Sequence, residues 1–330
     1  MNASRPVITP AQAPHLKRVR ELGPRRIPFS SGHQLGFDPG GTLLLAKGRG
    51  EAPLRWWDVG SPSDAPLGTF EAPPSAAPAV LTGEERVVCV GPANLSPAGL
   101  WRPRLLALSA RDGALLGEEH VQHAVTTLAR SRGGEHLLVV PDGGAPFIWD
   151  VKSWRLACEL GGLDIDVSVT ACALSPEGRF AAVTAIPHDG QQGNLWLWET
   201  TPGARPWRLS IDASPAWSVA FHPTEPLLAV GGLTEDVVVV HVGERRIVRT
   251  LSGFRGYACN LDFNPEGTLL AASHDGRGFS VHRFDTGAEL FRTGDDNDIQ
   301  TSDVLFSPDG RLLAWGQGDG TVGLWGVDSR

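Results

Sequence analysis

The stretch FSPDGRLLAWGQGDGTVGLWGVDSR, residues 306–330, determines how the rest of the chain is interpreted. With the two residues before it, it contains three short apolar runs, at 304–306, 312–315 and 321–325, separated by Ser-Pro-Asp-Gly and Gly-Asp-Gly. Such runs are typical of β-strands joined by tight turns, since proline presets a negative φ and Asp-Gly accepts the positive φ of a two-residue hairpin. The segment is therefore predicted to be a three-stranded antiparallel meander.

The same unit recurs along the whole chain. Copies of the turn start at residues 37, 81, 129, 174, 221, 263 and 306, so that the spacing is 42 to 48 residues. The third strand of each unit is predicted to end at Trp57, Leu108, Trp149, Trp198, Val240, His282 and Trp325. A period of about 40 to 45 residues with four strands per unit is typical of β-propeller blades. The sequence therefore predicts an all-β protein, a seven-bladed β-propeller with four-stranded antiparallel blades.

Several repeats end in a Trp-Asp or Trp-Glu pair, at Trp57-Asp58, Trp149-Asp150 and Trp198-Glu199. Together with the Phe-Ser-Pro-Asp-Gly turn, these pairs make residues 16–330 resemble the WD-repeat β-propeller family. The resemblance implies an interaction platform rather than an enzyme. It also implies a buried His, Ser/Thr, Asp and Trp network, for which His120, Asp142 and Trp149 are the candidates in the third repeat.

The two ends of the chain suggest how the ring closes. Residues 1–15 hold three prolines and little periodicity, which predicts a flexible N-terminal tail. Residues 16–22, LKRVREL, alternate apolar and charged side chains, as an outer strand with one solvated face does. Because the last repeat has only three strands of its own, this segment is predicted to complete the last blade and close a single-domain ring over 16–330.

Composition narrows the function classes. The net charge of −8 and the pI near 5.7 argue against a nucleic-acid surface, and no segment approaches 18 apolar residues, which argues against a membrane span. Cys89, Cys158, Cys172 and Cys259 show no Cys-x-x-Cys spacing and are predicted to be reduced core thiols. A cytoplasmic protein follows, and the excess of arginine over lysine indicates a bacterial genome rich in G and C.

Two insertions indicate where a partner would bind. Residues 91–104 and 185–194 both join a second to a third strand, so both loops are expected on one face of the ring, and inserted loops are common binding sites in repeat proteins. By its parity with Val219 and Phe221, Trp217 is predicted to face the core. The candidate partner-binding residues are Trp101, Arg102, Arg104, His188, Arg255, Tyr257, Asp295, Asp296, Asp298 and Gln300.

Motifs for catalysis are missing from the sequence. It contains no P-loop, Gly-x-Ser-x-Gly or His-Glu-x-x-His, and His120, His123 and Asp142 are the only group with even a weak claim to a metal. The predicted function is a non-catalytic protein–protein interaction scaffold or sensor without cofactor or metal, which acts as a subunit of a hetero-complex. The alternative is a hydrolase-like or lactonase-like propeller enzyme, or a small-molecule binder, that uses the central channel, where Asp262 and Asp303 could converge.

Overall fold

The computed structural model describes residues 5–23, 35–47, 53–71, 78–163, 166–188, 195–211, 215–254, 256–274, 278–293, 303–317 and 320–328. These residues form 28 β-strands, arranged as seven four-stranded antiparallel sheets, and one short 3-10 turn at Ala13–His15. No helix among them is long and apolar enough to cross a bilayer. The innermost strands of successive sheets contact one another around the ring, and those of the last and first sheets also meet. The predicted seven-bladed β-propeller is confirmed.

Each blade runs from an innermost strand at the channel to an outermost strand. Blade 1 consists of β2 Leu35–Phe37, β3 Leu43–Lys47, β4 Leu54–Asp58 and β5 Gly68–Phe70. Blade 2 consists of β6 Ala79–Thr82, β7 Arg86–Leu95, β8 Trp101–Ser109 and β9 Leu115–His120. Blade 3 consists of β10 Val125–Arg130, β11 His136–Pro141, β12 Phe147–Asp150 and β13 Arg155–Glu159.

Blades 4 to 7 follow the same order. Blade 4 consists of β14 Val167–Leu174, β15 Phe180–Pro187, β16 Leu195–Glu199 and β17 Trp207–Leu209, and blade 5 of β18 Ala216–Phe221, β19 Leu227–Gly232, β20 Asp236–His241 and β21 Arg246–Ser252. Blade 6 consists of β22 Ala258–Phe263, β23 Leu269–His274, β24 Phe279–Arg283 and β25 Glu289–Arg292. Blade 7 consists of β26 Val304–Phe306, β27 Leu313–Gly316 and β28 Val322–Gly326, and β1 Lys17–Leu22 is its outermost strand.

The recurring turn has a physical reason for each of its positions. In five of the seven blades, the residue after the innermost strand carries a short side-chain acceptor that binds the backbone N–H five residues further on, at 2.6 to 3.1 Å: Asp38, Ser131, Ser175, Asn264 and Ser307. The glycine that ends the turn has a positive φ, +68° at Gly310 for example, which other residues adopt only with strain. The motif therefore specifies the entry into the second strand in these five blades.

The hydrophobic core is divided among the seams between neighbouring blades. Seven clusters of buried side chains lie one at each seam, from the seam between blades 1 and 2 to the seam between blades 7 and 1. Because a blade has two apolar faces and no independent core, its stability depends on both of its neighbours. Closure of the ring is therefore a condition for stability.

The N-terminal segment closes the ring as predicted, and the residues before the closing strand also pack against the ring. Strand β1 pairs antiparallel with β28 and completes blade 7. The expected flexible tail is wrong for residues 5–15, because Ile8 and Ala13 are fully buried in the seam between blades 6 and 7 and the Ile8 N–H donates to Gly310 O at 2.7 Å. Residues 1–4 lie outside the described part of the chain.

Trp217 does not face the core. In blades 3 to 6 the innermost strand has a bulge near its start, and in β18 this bulge falls between Ala216 and Ser218. A bulge inserts one unpaired residue, so the alternation on which the prediction relied is broken there. The Trp217 side chain is 41% exposed.

Candidate functional site

The longer insertion is an extension of two strands rather than a loop. Strands β7 and β8 continue past the blade as a β-hairpin, with Gly91 paired to Arg104, Asn94 to Arg102 and Leu95 to Trp101. The turn at 96–100 is closed by the Ser96 N–H, which donates to Leu100 O at 2.8 Å. We call residues 91–104 the blade 2 hairpin, and the face of the ring that carries the connections from second to third strands the hairpin face.

The end of the blade 2 hairpin is apolar and exposed. The side chains of Leu95, Leu100 and Trp101 are 60%, 52% and 73% exposed. Single exposed leucines are ordinary on protein surfaces, but three large apolar residues within one turn of a projecting hairpin form a patch. We call these three residues the apolar tip.

The base of the hairpin is fixed by polar contacts. The Arg104 Nε donates to Pro92 O at 2.8 Å, and its guanidinium lies 3.3 Å from the Glu118 carboxylate. The Arg102 Nη1 donates to Gln122 O at 2.7 Å, and His120 Nε2 lies 2.6 Å from Asn94 Oδ1. The two arginines predicted to contact a partner therefore hold the hairpin in place, and the apolar tip provides the free surface.

The remaining candidates are distributed over the hairpin face. Tyr257 is 43% exposed and immediately precedes β22, and Trp217 lies on the adjoining blade, where its neighbour Ser218 donates to Ala258 O at 3.1 Å. His188 follows β15 and contacts Asp166 and Ser168. The other predicted contacts, Arg255, Asp295, Asp296, Asp298 and Gln300, lie outside the described residues.

The buried network that the resemblance implied is not assembled in blade 3. His120 contacts Asn94 of the hairpin, while the indole Nε1 of Trp149 is buried without a hydrogen-bond partner among the described residues. The ring of Trp149 instead packs edge-on against Trp154, with the centroids 5.6 Å apart. Within the described ranges, no group of three His, Cys, Asp or Glu side chains converges as a metal site. His120, His123 and Asp142 therefore do not form one.

The channel carboxylates serve the backbone. Asp262 Oδ2 accepts the Phe306 N–H at 2.7 Å, and Asp303 Oδ2 accepts the Leu35 N–H at 3.0 Å, so each binds the innermost strand of the next blade. Burial raises the pKa of both carboxyl groups to about 7. Arg130 reaches past blade 2 and donates to Phe37 O at 2.9 Å. These groups are already engaged in holding blades together, which favours a structural role over a catalytic one.

Cys89 and Cys172 offer no reactive thiolate. Burial raises the pKa of the Cys89 and Cys172 thiols to about 12, so both are protonated at neutral pH. Cys89 is buried, whereas Cys158, Cys172 and Cys259 are half-buried and form no disulfide. Of the four cysteines predicted to be core thiols, Cys89 alone lies in the core.

Sequence reasoning missed the parts of the surface that depend on strand register. The exposure of Leu95 and Leu100 on a hairpin was not predicted, because the prolines at 92, 97 and 103 are typical of a loop. Trp217 was concealed by the bulge. The contacts of His188 with Asp166 and Ser168 follow from the pairing of β14 with β15, which no local pattern reveals.

Comparison with known proteins agrees with the architecture. The chain is 24% identical over 205 residues to WD repeat-containing protein SL1-17 of Schistosoma mansoni, an alignment that covers 60% of this chain and 64% of that protein. It is also 24% identical over 157 residues to telomerase protein component 1 of Mus musculus, covering 48% of this chain but 6% of that protein. The alignments thus span less than two thirds of either relative. No protein-family model matches the sequence. The first similarity and the seven-bladed ring together support a WD-repeat propeller.

Proposed function

We propose that the chain is an interaction scaffold of the WD-repeat type, which docks a protein or peptide partner on the hairpin face by a contact that involves no catalysis. The observation that carries the proposal is the apolar tip, displayed at the end of a hairpin whose base is fixed. The similarity to a WD repeat-containing protein supports the class of function. Because propellers also host enzymes, the fold alone does not decide.

The apolar tip has the properties of an interface anchor. Tryptophan is enriched among residues whose truncation costs about 2 kcal/mol or more at interfaces, because its large rigid ring buries much area with few rotatable bonds. The hairpin holds Trp101 through backbone pairing with Leu95 and through the contacts of Arg102 and Arg104 at its base. A fixed display lowers the conformational entropy lost on binding.

The composition of the chain supports a proposal about the kind of partner and the cellular compartment. An acidic chain, with a net charge of −8, favours a protein partner over a nucleic acid, and Cys89, Cys158, Cys172 and Cys259, which form no disulfide, fit a reducing compartment such as a bacterial cytoplasm. We propose that the protein works there as a subunit of a hetero-complex, without a cofactor or metal and without association with a membrane. Tyr257 and Trp217 extend the same proposed surface toward the channel mouth.

Photo-crosslinking from the tip identifies the partner and tests the proposal. A variant chain with a benzophenone amino acid in place of Leu100 is expressed in the organism that encodes the chain. Irradiation should give a discrete cross-linked product, and mass spectrometry should identify the protein joined to the chain in it. With that partner purified, Trp101→Ala should raise the Kd at least about tenfold, which corresponds to about 1.4 kcal/mol. Calorimetric titration measures the Kd.

The matched control is Leu67→Ala, which truncates another exposed leucine on the opposite face of the ring. It should leave the Kd unchanged, and both variants should melt within about two degrees of the wild type, because surface truncations cost about 0.5 kcal/mol or less. An unchanged Kd for Trp101→Ala, with a raised Kd for Tyr257→Ala or Trp217→Ala, would remove the tip from the interface.

A further inference from the structure

Asp166, Ser168 and His188 meet at the hairpin-face end of blade 4 because of strand register. Val167 of β14 pairs with Pro187 of β15, so Asp166 lies opposite His188, and the His188 N–H donates to Asp166 O at 3.2 Å. Since side chains alternate along a strand, Asp166 and Ser168 point to the same side of the sheet. His188, the cross-strand neighbour of Asp166, points to that side as well. The register thus brings three polar side chains together.

The two nitrogens of His188 have different partners. Its Nε2 lies 2.7 Å from Ser168 Oγ, and its Nδ1 lies 3.2 Å from Asp166 Oδ2. An ionised carboxylate only accepts hydrogen bonds, so Nδ1 carries the proton and donates it toward Asp166. Nε2 then has a lone pair, which accepts the Ser168 hydroxyl. This is the order of contacts by which an imidazole activates a serine hydroxyl as a nucleophile.

A cleft of about 630 Å³ opens beside these groups. It lies between blades 3 and 4, with all three residues in its lining, and its walls include Pro141, Gly144 and Leu163. The volume falls in the range of about 300 to 1,000 Å³ that small-molecule sites occupy. A substrate can therefore approach the Ser168 hydroxyl from an existing depression.

We propose that Ser168, His188 and Asp166 form a nucleophilic site for small carboxylic esters. Ser168 Oγ attacks the ester carbonyl carbon while its proton passes to His188 Nε2. The bond from the carbonyl carbon to the alcohol oxygen breaks, and that oxygen takes the proton from His188. Water then attacks the acyl-serine with the same imidazole as base, which releases the carboxylic acid and restores the serine. The overall change is ester plus water to acid plus alcohol.

The solvent exposure of Asp166 determines how much it is expected to contribute to the rate of ester hydrolysis. Its side chain is 90% exposed, so water screens its charge far more than in a buried triad. Asp166 acts as a positioning residue for His188, and Asp166→Asn is expected to slow the reaction less than His188→Gln does. The site is separate from the apolar tip and does not depend on the proposed partner.

Active-site labelling of the full chain tests the proposal. Incubation with a biotinylated fluorophosphonate should place the phosphonyl group on Ser168, as located by tandem mass spectrometry, and the chain should hydrolyse 4-nitrophenyl acetate. Ser168→Ala should abolish both. His188→Gln should slow labelling by about 100-fold or more, because a general base typically contributes at least that factor. All three side chains are exposed, so unchanged melting temperatures should confirm folding.

Two controls make the result specific. Ser63→Ala removes another exposed serine and should label like the wild type, and so should Trp101→Ala, which keeps this proposal distinct from the proposed scaffold function. Labelling of Ser168 at a rate unaffected by His188→Gln would contradict the proposal, and so would the absence of label on Ser168. Either result would leave the three residues as a polar contact at the strand ends.

Discussion

Carboxylates at the channel join successive innermost strands. Such a strand is the inner edge of its sheet, so one row of its backbone N–H groups has no partner within the blade. Asp262 and Asp303 accept N–H groups of the following blade, and Asn260 Oδ1 does the same for the Val304 N–H at 3.0 Å. The carboxylates meet this need at the cost of a desolvated charge.

Stability is therefore expected to fall as pH rises through neutrality. Burial raises the pKa of Asp262 to about 7, above an unfolded value of about 3.9. The folded state thus holds a proton that the unfolded state has lost, and this stabilisation is present near pH 5 and disappears as pH passes 7. Asp262→Asn keeps an oxygen for the Phe306 N–H without the charge, so it should raise the free energy of unfolding at pH 8, by at most about 4 kcal/mol.

Urea unfolding at pH 5 and pH 8 measures the effect. The gain from Asp262→Asn should be much smaller at pH 5, where the wild-type carboxyl is already protonated. Equal gains at both values of pH would show that the charge is not the cause. Asp309→Asn, at an exposed turn, serves as the control and should show no such difference.

Among the elements, the blade 2 hairpin depends on the contacts at its base. Arg104→Ala removes the bond to Pro92 O and the ion pair with Glu118. A hydrogen bond of this kind contributes about 1 kcal/mol, so thermolysin should cut within 91–104 about fivefold faster. Because the hairpin projects beyond the blade, the melting temperature should change by no more than about two degrees.

Arg111→Ala is the matched control for that variant. It breaks an exposed ion pair with Glu85 in the same blade, at the opposite face. Exposed pairs contribute little, so cleavage within 91–104 should stay at the wild-type rate. If Arg104→Ala is cut no faster than Arg111→Ala, the contacts of Arg104 do not hold the hairpin in place.

The elements also show how far sequence reasoning reaches. The blades were predictable because the turn after Phe306 and four of its copies have the same hydrogen bond and the same positive φ. The features that were not predictable arise from register, such as the bulge that exposes Trp217 and the pairing that brings Ser168 to His188. Register depends on contacts between strands, and a local pattern does not contain that information.

For the whole molecule, closure of the ring is expected to dominate stability. Ile8 and Leu22 have no exposed surface and pack in the two seams that flank blade 7. Ile8→Ala and Leu22→Ala should each lower the free energy of unfolding by about 2 to 5 kcal/mol, because each leaves a cavity. Leu67→Ala, on the surface of blade 1, should cost less than about 1 kcal/mol. If Ile8→Ala were as mild as Leu67→Ala in urea unfolding, the N-terminal segment would not be docked.

One face of the ring, with the blade 2 hairpin on it, is expected to contact a protein partner. Hydrogen–deuterium exchange of the full chain is to be measured with and without the partner found by cross-linking from position 100. Binding should slow exchange in peptides that cover 91–104 and leave exchange unchanged in the turns at 38–42, 175–179 and 307–311 on the opposite face. Protection of those turns, with unchanged exchange at 91–104, would contradict docking on the hairpin face.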